Sequence, residues 1–283
     1  MKIGLIGCGN MGSGMAKQLL SSGYQLTCYD LNEQSIERIQ MLGASIAPSL
    51  VQLASDSEII ILSLPNAQVV ESVMQEINTS VNPDTVVLDT STSEPDTTQQ
   101  LAAKAAAKNY VFIDGPVSGG PVAANAGTMT MLLGGDPDGI AKLKPVLDTI
   151  TAKTVVVGAS GAGHAAKIAN NMLCAANLVL VSEALRLGNA AGVSAEDLLE
   201  GINAGSGRSG VSEVNYPTWI LNNDFNSGFT MGLMRKDVRL ALKLAESSNV
   251  DLIGFQNIAD IWLMKSAHIP DTADFNEVVK DQT

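Results

Sequence analysis

The chain has 283 residues, with 17 Lys+Arg against 29 Asp+Glu and a formal net charge of −12. Hydrophobic residues make up 46 % and charged residues 16 %, which excludes a disordered chain and supplies ample material for packed cores. The acidic balance and the lack of any Lys/Arg cluster argue against nonspecific nucleic-acid binding, since neutralising phosphates needs grouped cations.

In chain order, the first element is Lys2–Ile6, which reads as a buried strand. Glycines at 4, 7 and 9 break the apolar run from Ile3, so it lacks the pattern of a cleavable leader. Gly7-Cys8-Gly9-Asn10-Met11-Gly12 follows, a G-x-G-x-x-G run between that strand and a helix predicted over 11–20. There the first glycine permits a tight turn, the second lets a pyrophosphate approach the backbone, and the third lets helix and strand pack closely. The helix N-terminus adds N–H groups and partial positive charge for the phosphates. The bland alternative is a tight βα turn with no ligand. A second strand, Gln25–Tyr29, leads into Asp30, 18 residues after Gly12. An acid near this spacing accepts hydrogen bonds from the adenosine ribose hydroxyls. It also repels a 2′-phosphate, by about 4 kcal/mol for unit charges about 4 Å apart at an effective dielectric near 20. Leu31, Asn32 and Glu33 bring no cation, and the nearest arginine in sequence is Arg38, so NAD is expected rather than NADP. The alternative for Asp30 is the N-cap of the next helix.

Further strands are predicted over 58–62, 85–88, 110–113, 129–133 and 154–157, with helical stretches such as 95–108 between most of them. Apolar strands alternating with helices indicate a mostly parallel sheet covered on both faces. Residues 1–160 are therefore expected to form a Rossmann-type, doubly wound dinucleotide-binding domain. Asp114-Gly115-Pro116-Val117-Ser118-Gly119-Gly120-Pro121 closes one of these strands. Ser118 with Gly119 and Gly120 offers a hydroxyl and bare N–H groups, a nest suited to a carboxylate; an ordinary Gly/Pro turn is the alternative.

Gly158, Gly161 and Gly163 mark a change of pattern. A long helix is predicted over 165–191, then helices over 194–204, 235–247 and 253–267, with no strand. Residues 161–283 are expected to form an all-α substrate and oligomerisation domain. A helix of this length spans about 40 Å, so it is expected to bridge the domains or to pack against another subunit of a homodimer or homotetramer. Its most apolar stretch, 172–181, is shorter than the roughly 20 residues of a bilayer span and holds Asn177, so no membrane segment is expected. Lys167 and Asn171 lie four apart on one helix face, otherwise lined by Ala and Ile. Desolvation there favours the neutral amine, which can exchange a proton with a substrate hydroxyl. A lone helical lysine is usually solvated; the glycine run, Asn171 and the preceding nucleotide domain favour the catalytic reading. His164 is a weaker candidate than Lys167, His268 reads as helix-terminal and Cys174 as a small filler. Cys8, Cys28 and Cys174 match neither a disulfide framework nor a zinc site, so reduced thiols in the cytoplasm are expected. Two histidines leave a histidine-based metal centre improbable.

Taken together, these motifs resemble the β-hydroxyacid dehydrogenase family over nearly the whole chain. The resemblance rests on Gly4 to Gly12, Asp89-Thr90-Ser91-Thr92-Ser93 and Asp114 to Gly120, and on the G-x-x-G-x-G-x-x-x-K-x-x-x-N pattern from Gly158 to Asn171. Lys236-Asp237 and Asp274-Phe275 extend it. It implies NAD-linked oxidation of a small 3-hydroxy acid without a metal, Lys167 acting as general acid/base on the C3 oxygen and its ammonium stabilising the alkoxide. It further implies that Asn171 orients the substrate and that Ser118, Gly119 and Gly120 hold its carboxylate. Leu64, Pro65 and Thr92 would line the cofactor, and Lys236 would reach the nicotinamide side. Ser206-Gly207-Arg208-Ser209 and the run from Phe229 to Met234 resemble the branch that oxidises 3-hydroxyisobutyrate or serine. Gly210 stands where that branch often carries tryptophan, and Arg208 either meets a second anionic group or is a surface or helix-cap residue. Rival readings are an NADPH-dependent reductase of glyoxylate, succinic or tartronate semialdehyde, and a noncatalytic nucleotide sensor on the same fold. 6-Phosphogluconate dehydrogenase is disfavoured by the short, arginine-poor second half.

Overall fold

The computed structural model describes residues 1–282. The chain divides into two compact units, Met1–Lys167 and Ile168 onward.

The first unit is built on one nine-stranded sheet. In chain order its elements are β1 (Lys2–Ile6), α1 (Asn10–Ser21), β2 (Gln25–Tyr29), α2 (Glu33–Met41), β3 (Ser45–Ile46) and α3 (Leu50–Asp56). Then follow β4 (Ile59–Leu62), α4 (Ala67–Ile77), β5 (Val86–Asp89), α5 (Pro95–Ala106), β6 (Val111–Asp114) and β7 (Val117–Ser118). The unit continues with α6 (Gly120–Ala126), β8 (Met129–Gly134), α7 (Pro137–Ile150) and β9 (Thr151–Gly158), and α8 (Ala162–Ala190) begins in it. The strand order is β3-β2-β1-β4-β5-β6-β8-β7, with β9 beside β8. Strands β1 to β6 pair in parallel, whereas β8 runs antiparallel to β6 and β7. The order reverses between β1 and β4, and ligands of open α/β sheets bind at such a switch point beyond the carboxyl ends of the strands.

Alternation along the strands explains the two covered faces. Ile59 and Ile61 enter a core with Met15 and Leu19 of α1 and Leu143 and Val146 of α7. Ile60 and Leu62 enter another with Leu53, Val70, Met74 and Leu101 from α3, α4 and α5. Each such buried side chain contributes roughly 1.5–3 kcal/mol. Helix starts are fixed by side-chain caps: Asn66 accepts from Val69 N at 3.0 Å and Asp136 from Gly139 N at 2.8 Å.

The second unit holds the rest of α8, then α9 (Ala195–Ala204), a π-helical segment over Val211–Ile220, α10 (Met231–Ser247) and α11 (Gln256–Asp260). A π-helical turn, Ile261–Lys265, and a 3₁₀ segment from Phe275 follow. The single helix expected over 253–267 is thus a short α-helix running into a π turn. In the core, Trp262 is fully buried and donates its indole N–H to Ala175 O at 3.1 Å. By length and composition α8 could cross a membrane, with a mean hydropathy of 1.4 over its best window, and in this it exceeds the stretch read at 172–181. Its alanines raise hydropathy without forming a continuous bulky run. Ala175, Leu178, Val179 and Leu185 of this helix are buried in the unit's core, while Leu173, Leu180 and Leu187 are exposed.

Candidate active site

The glycine-rich loop joins β1 to α1 at the switch point. Gly7 has φ +94°, a left-handed value that favours glycine, and a Cβ there would run into Ser63 O. A Cβ on Gly12 would run into Gly7 O, whereas one on Gly9 meets nothing within 4 Å. Two glycines thus serve close packing, and Gly9 leaves open space beside the first turn of α1, where Asn10 and Met11 lie. This is the cradle a pyrophosphate needs, so the residues fit NAD.

Asp30 follows β2 and grips this loop. Its Oδ2 accepts from Cys8 N at 2.6 Å and its Oδ1 from Asn32 N at 2.8 Å. The N-cap of α2 is Asn32, whose side chain accepts from Ser35 N, so Asp30 is not the cap. One expectation is corrected here: a cation does stand near this loop. Arg38, on α2, donates from Nη2 to Cys8 O at 3.0 Å. Arg38 is eight residues beyond Asp30 in sequence, yet the helical path of α2 returns it to the loop.

Leu64 and Pro65 follow β4, and Thr92 follows β5, all beyond the strand ends that carry the loop. Leu64 N donates to Ser91 Oγ at 3.2 Å and Thr90 Oγ1 to Leu62 O at 2.7 Å, tying the two segments together.

The start of α8 is held by a carboxylate from the sheet. Asp114, at the end of β6 and fully buried, accepts from Gly161 N at 2.8 Å and His164 N at 3.0 Å. Burial pushes its carboxyl above the ordinary range, against the opposing influence of His164 and these N–H groups. The buried His164 ring lies 2.7 Å from Thr98 Oγ1 and 3.0 Å from Ser91 O. It therefore pins α8 to α5 and to the loop after β5.

One turn further on, Lys167 is buried and donates from Nζ to Ser118 Oγ at 2.8 Å. Ser118 ends β7, and Gly119 beyond it has φ +114°. A Cβ on Gly119 would collide with Ala123, so the turn into Gly120 and α6 requires glycine. The structure thus brings together Lys167 and the Ser118–Gly120 loop.

In the second unit, Asn171 donates from Nδ2 to Asp237 Oδ2 and accepts from Asn170 Nδ2 at 3.0 Å. Lys236 Nζ lies 3.1 Å from Asp237 Oδ1 as an ion pair without hydrogen-bond alignment. Asp237 is the partner that sequence reasoning missed; it is nearly fully buried on α10 and orients the Asn171 amide. Its adjacency to Lys236 was visible, but its partner 66 residues away was not. Among the described residues, no cluster of His, Cys, Asp and Glu is placed to hold a metal ion.

Residues 2–158 match the family model of the NAD binding domain of 6-phosphogluconate dehydrogenase. Residues 161–281 match that described as the NAD-binding part of NADP-dependent 3-hydroxyisobutyrate dehydrogenase. The chain is 39 % identical over 255 residues to the 2-(hydroxymethyl)glutarate dehydrogenase of Eubacterium barkeri, covering 89 % of this chain and 85 % of the relative. It is 34 % identical over 257 residues to the NAD-dependent L-serine dehydrogenase of Pseudomonas aeruginosa, covering 87 % and 86 %. A solved structure of Mycobacterium tuberculosis 3-hydroxyisobutyrate dehydrogenase with L-serine is similar at a TM-score of 0.94 and 29 % identity, over 99 % of this chain and 98 % of that one. The doubly wound sheet, the glycine-rich loop and these likenesses define a nicotinamide-dependent dehydrogenase that acts on hydroxyl groups. The chain belongs to the β-hydroxyacid dehydrogenase family, in its 3-hydroxyisobutyrate dehydrogenase-like group, and NAD is its cofactor.

Proposed function

We propose that the protein oxidises a small 3-hydroxy acid, 3-hydroxyisobutyrate or a similar compound such as serine, to its semialdehyde. The hydrogen bond from Lys167 to Ser118 carries this reading. It places a buried amine beside a hydroxyl that retains its own proton to donate to a carboxylate.

Gly7, Gly9, Asn10, Met11, Gly12 and Asp30 would hold NAD, with Leu64, Pro65 and Thr92 along it. Bound NAD supplies the hydride acceptor. Lys167 takes the substrate hydroxyl proton as charge develops on the C3 oxygen, and as an ammonium it stabilises that charge. Ser118, Gly119 and Gly120 hold the carboxylate. Asn171, fixed by Asp237, orients the substrate, and Lys236 serves the nicotinamide side. The likenesses to serine- and hydroxyisobutyrate-oxidising enzymes support this assignment.

A bulkier hydroxy dicarboxylate is a second reading, and Gly210 favours it. A Cβ at Gly210 meets nothing within 4 Å, at the place where the branch resembled in sequence often carries tryptophan. Arg208, 63 % exposed and 3.7 Å from Glu213, could turn to a second carboxylate.

The test is NAD reduction with both enantiomers of 3-hydroxyisobutyrate and serine, 2-(hydroxymethyl)glutarate, glycerate and 3-hydroxypropionate. Turnover of a short 3-hydroxy acid is expected. Preference for the glutarate would establish the second reading, and NADP-dependent reduction of semialdehydes alone would replace both. NAD binding without turnover on any acid would mark a sensor.

We further propose a homo-oligomer. Leu173, Leu180 and Leu187 on α8 are 58 %, 52 % and 75 % exposed at seven-residue spacing, an apolar stripe along one side of the helix. A cytoplasmic location is likewise proposed; among the described residues no disulfide joins the cysteines, which suits a reducing compartment.

A further inference from the structure

Opposite charges grip the middle residue of the glycine-rich loop. The N–H of Cys8 donates to Asp30 Oδ2 at 2.6 Å, and its carbonyl accepts from Arg38 Nη2 at 3.0 Å. Standard bond lengths across one residue keep the carboxylate and the guanidinium within about 9 Å of each other. That is close to the Debye length of about 8 Å at physiological salt, so an anion arriving at this end of the loop feels both. Asp30 is tethered at its other oxygen by Asn32 N at 2.8 Å. Arg38 rests on Ser35 Oγ at 3.5 Å, again through Nη2. Among the described residues, Nε and Nη1 of Arg38 make no hydrogen bond, and the side chain is exposed.

A guanidinium is a planar fork whose remaining N–H groups match phosphate oxygens. A carboxylate in the position of Asp30 accepts from the ribose 2′-hydroxyl and opposes a phosphate at the same oxygen. We propose that Arg38 is a second cofactor-selectivity residue, a binder of the 2′-phosphate of NADP that the charge of Asp30 holds in check. The preference for NAD is then a balance of two opposed charges rather than the absence of a cation. This inference rests on the reading that Asp30 receives the adenosine ribose.

Two measurements test it on wild type, Asp30→Asn, Arg38→Gln and the double variant. Initial rates compare NADP with NAD, and displacement of bound NADH, read by its fluorescence, compares 2′,5′-ADP with 5′-AMP. Asparagine keeps an acceptor for Cys8 N while removing the charge. Asp30→Asn is expected to raise the NADP-to-NAD ratio of kcat/KM at least tenfold, and adding Arg38→Gln is expected to remove most of that gain. In the wild-type background, Arg38→Gln should weaken 2′,5′-ADP relative to 5′-AMP at least threefold. A gain that survives Arg38→Gln, or unchanged discrimination between the two nucleotides, overturns the proposal. An unmoved ratio in Asp30→Asn would instead sink the Asp30 reading. If that variant loses both cofactors, the nucleotide pair measured on Arg38→Gln alone still decides.

Discussion

Ser118 accepts from Lys167 and has a hydroxyl proton left to give. Ser118→Ala is therefore expected to raise KM for the acid about tenfold or more, with a smaller loss in kcat, as removal of ground-state binding does; an unchanged KM in steady-state assays would remove Ser118 from the carboxylate site. The loop glycines separate in a similar way. Gly9 faces open space and Gly12 faces Gly7 O, so Gly9→Ala should keep the melting temperature while weakening NADH binding, and Gly12→Ala should lower both. Calorimetry and NADH fluorescence titration check the pair. Lys167, Asn171 and the glycines were legible as candidates because local spacing alone singles them out. The contact of Arg38 with the loop was not, since it depends on where α2 returns the side chain, and Asp237 as the partner of Asn171 was not, since the two are distant in sequence.

Helix α8 begins where it does because Asp114 receives the N–H of Gly161, just before it, and that of His164 in its first turn. Asp114→Ala would leave both buried without an acceptor. Each unsatisfied buried group costs about 1–3 kcal/mol, so a loss of roughly 2–6 kcal/mol is expected in urea unfolding, and a loss under about 1 kcal/mol would show that water or a neighbour replaces the cap. The motif containing Asp114 was visible in sequence, but its partner lies 47 residues on. The longer strands of the sheet were legible from their β-branched apolar runs. Ser45–Ile46 and Val117–Ser118, each of two residues, are too short to show a period. The π-helical segment Val211–Ile220 falls between the expected helices; it holds Pro217, which removes an N–H donor from the helical pattern.

At the scale of the molecule, each unit carries a buried tyrosine whose phenol burial pushes up to about 12, Tyr110 in the first and Tyr216 in the second. The folded-state value lies above the ordinary 10, so the unfolded chain ionises first as pH rises. Stability present below pH 10 should therefore be lost between pH 10 and about 12, by about 3 kcal/mol per tyrosine. Urea unfolding at stepped alkaline pH checks this; Tyr110→Phe should lose less, and phenols titrating near 10 in the folded protein would contradict it. The leucine stripe of α8 makes a second claim at this scale. Sedimentation should show a dimer or larger species, and Leu180→Glu should shift it towards monomer.

The most direct test is Lys167→Ala, assayed for NAD-linked oxidation of the preferred hydroxy acid alongside NADH binding. Loss of a general acid/base costs about 10²–10⁴ in rate. A fall of that size in kcat, with NADH affinity within about threefold of wild type, is the expected result. A variant that binds NADH and still turns over within tenfold of wild type would contradict the assignment of Lys167 as the acid/base.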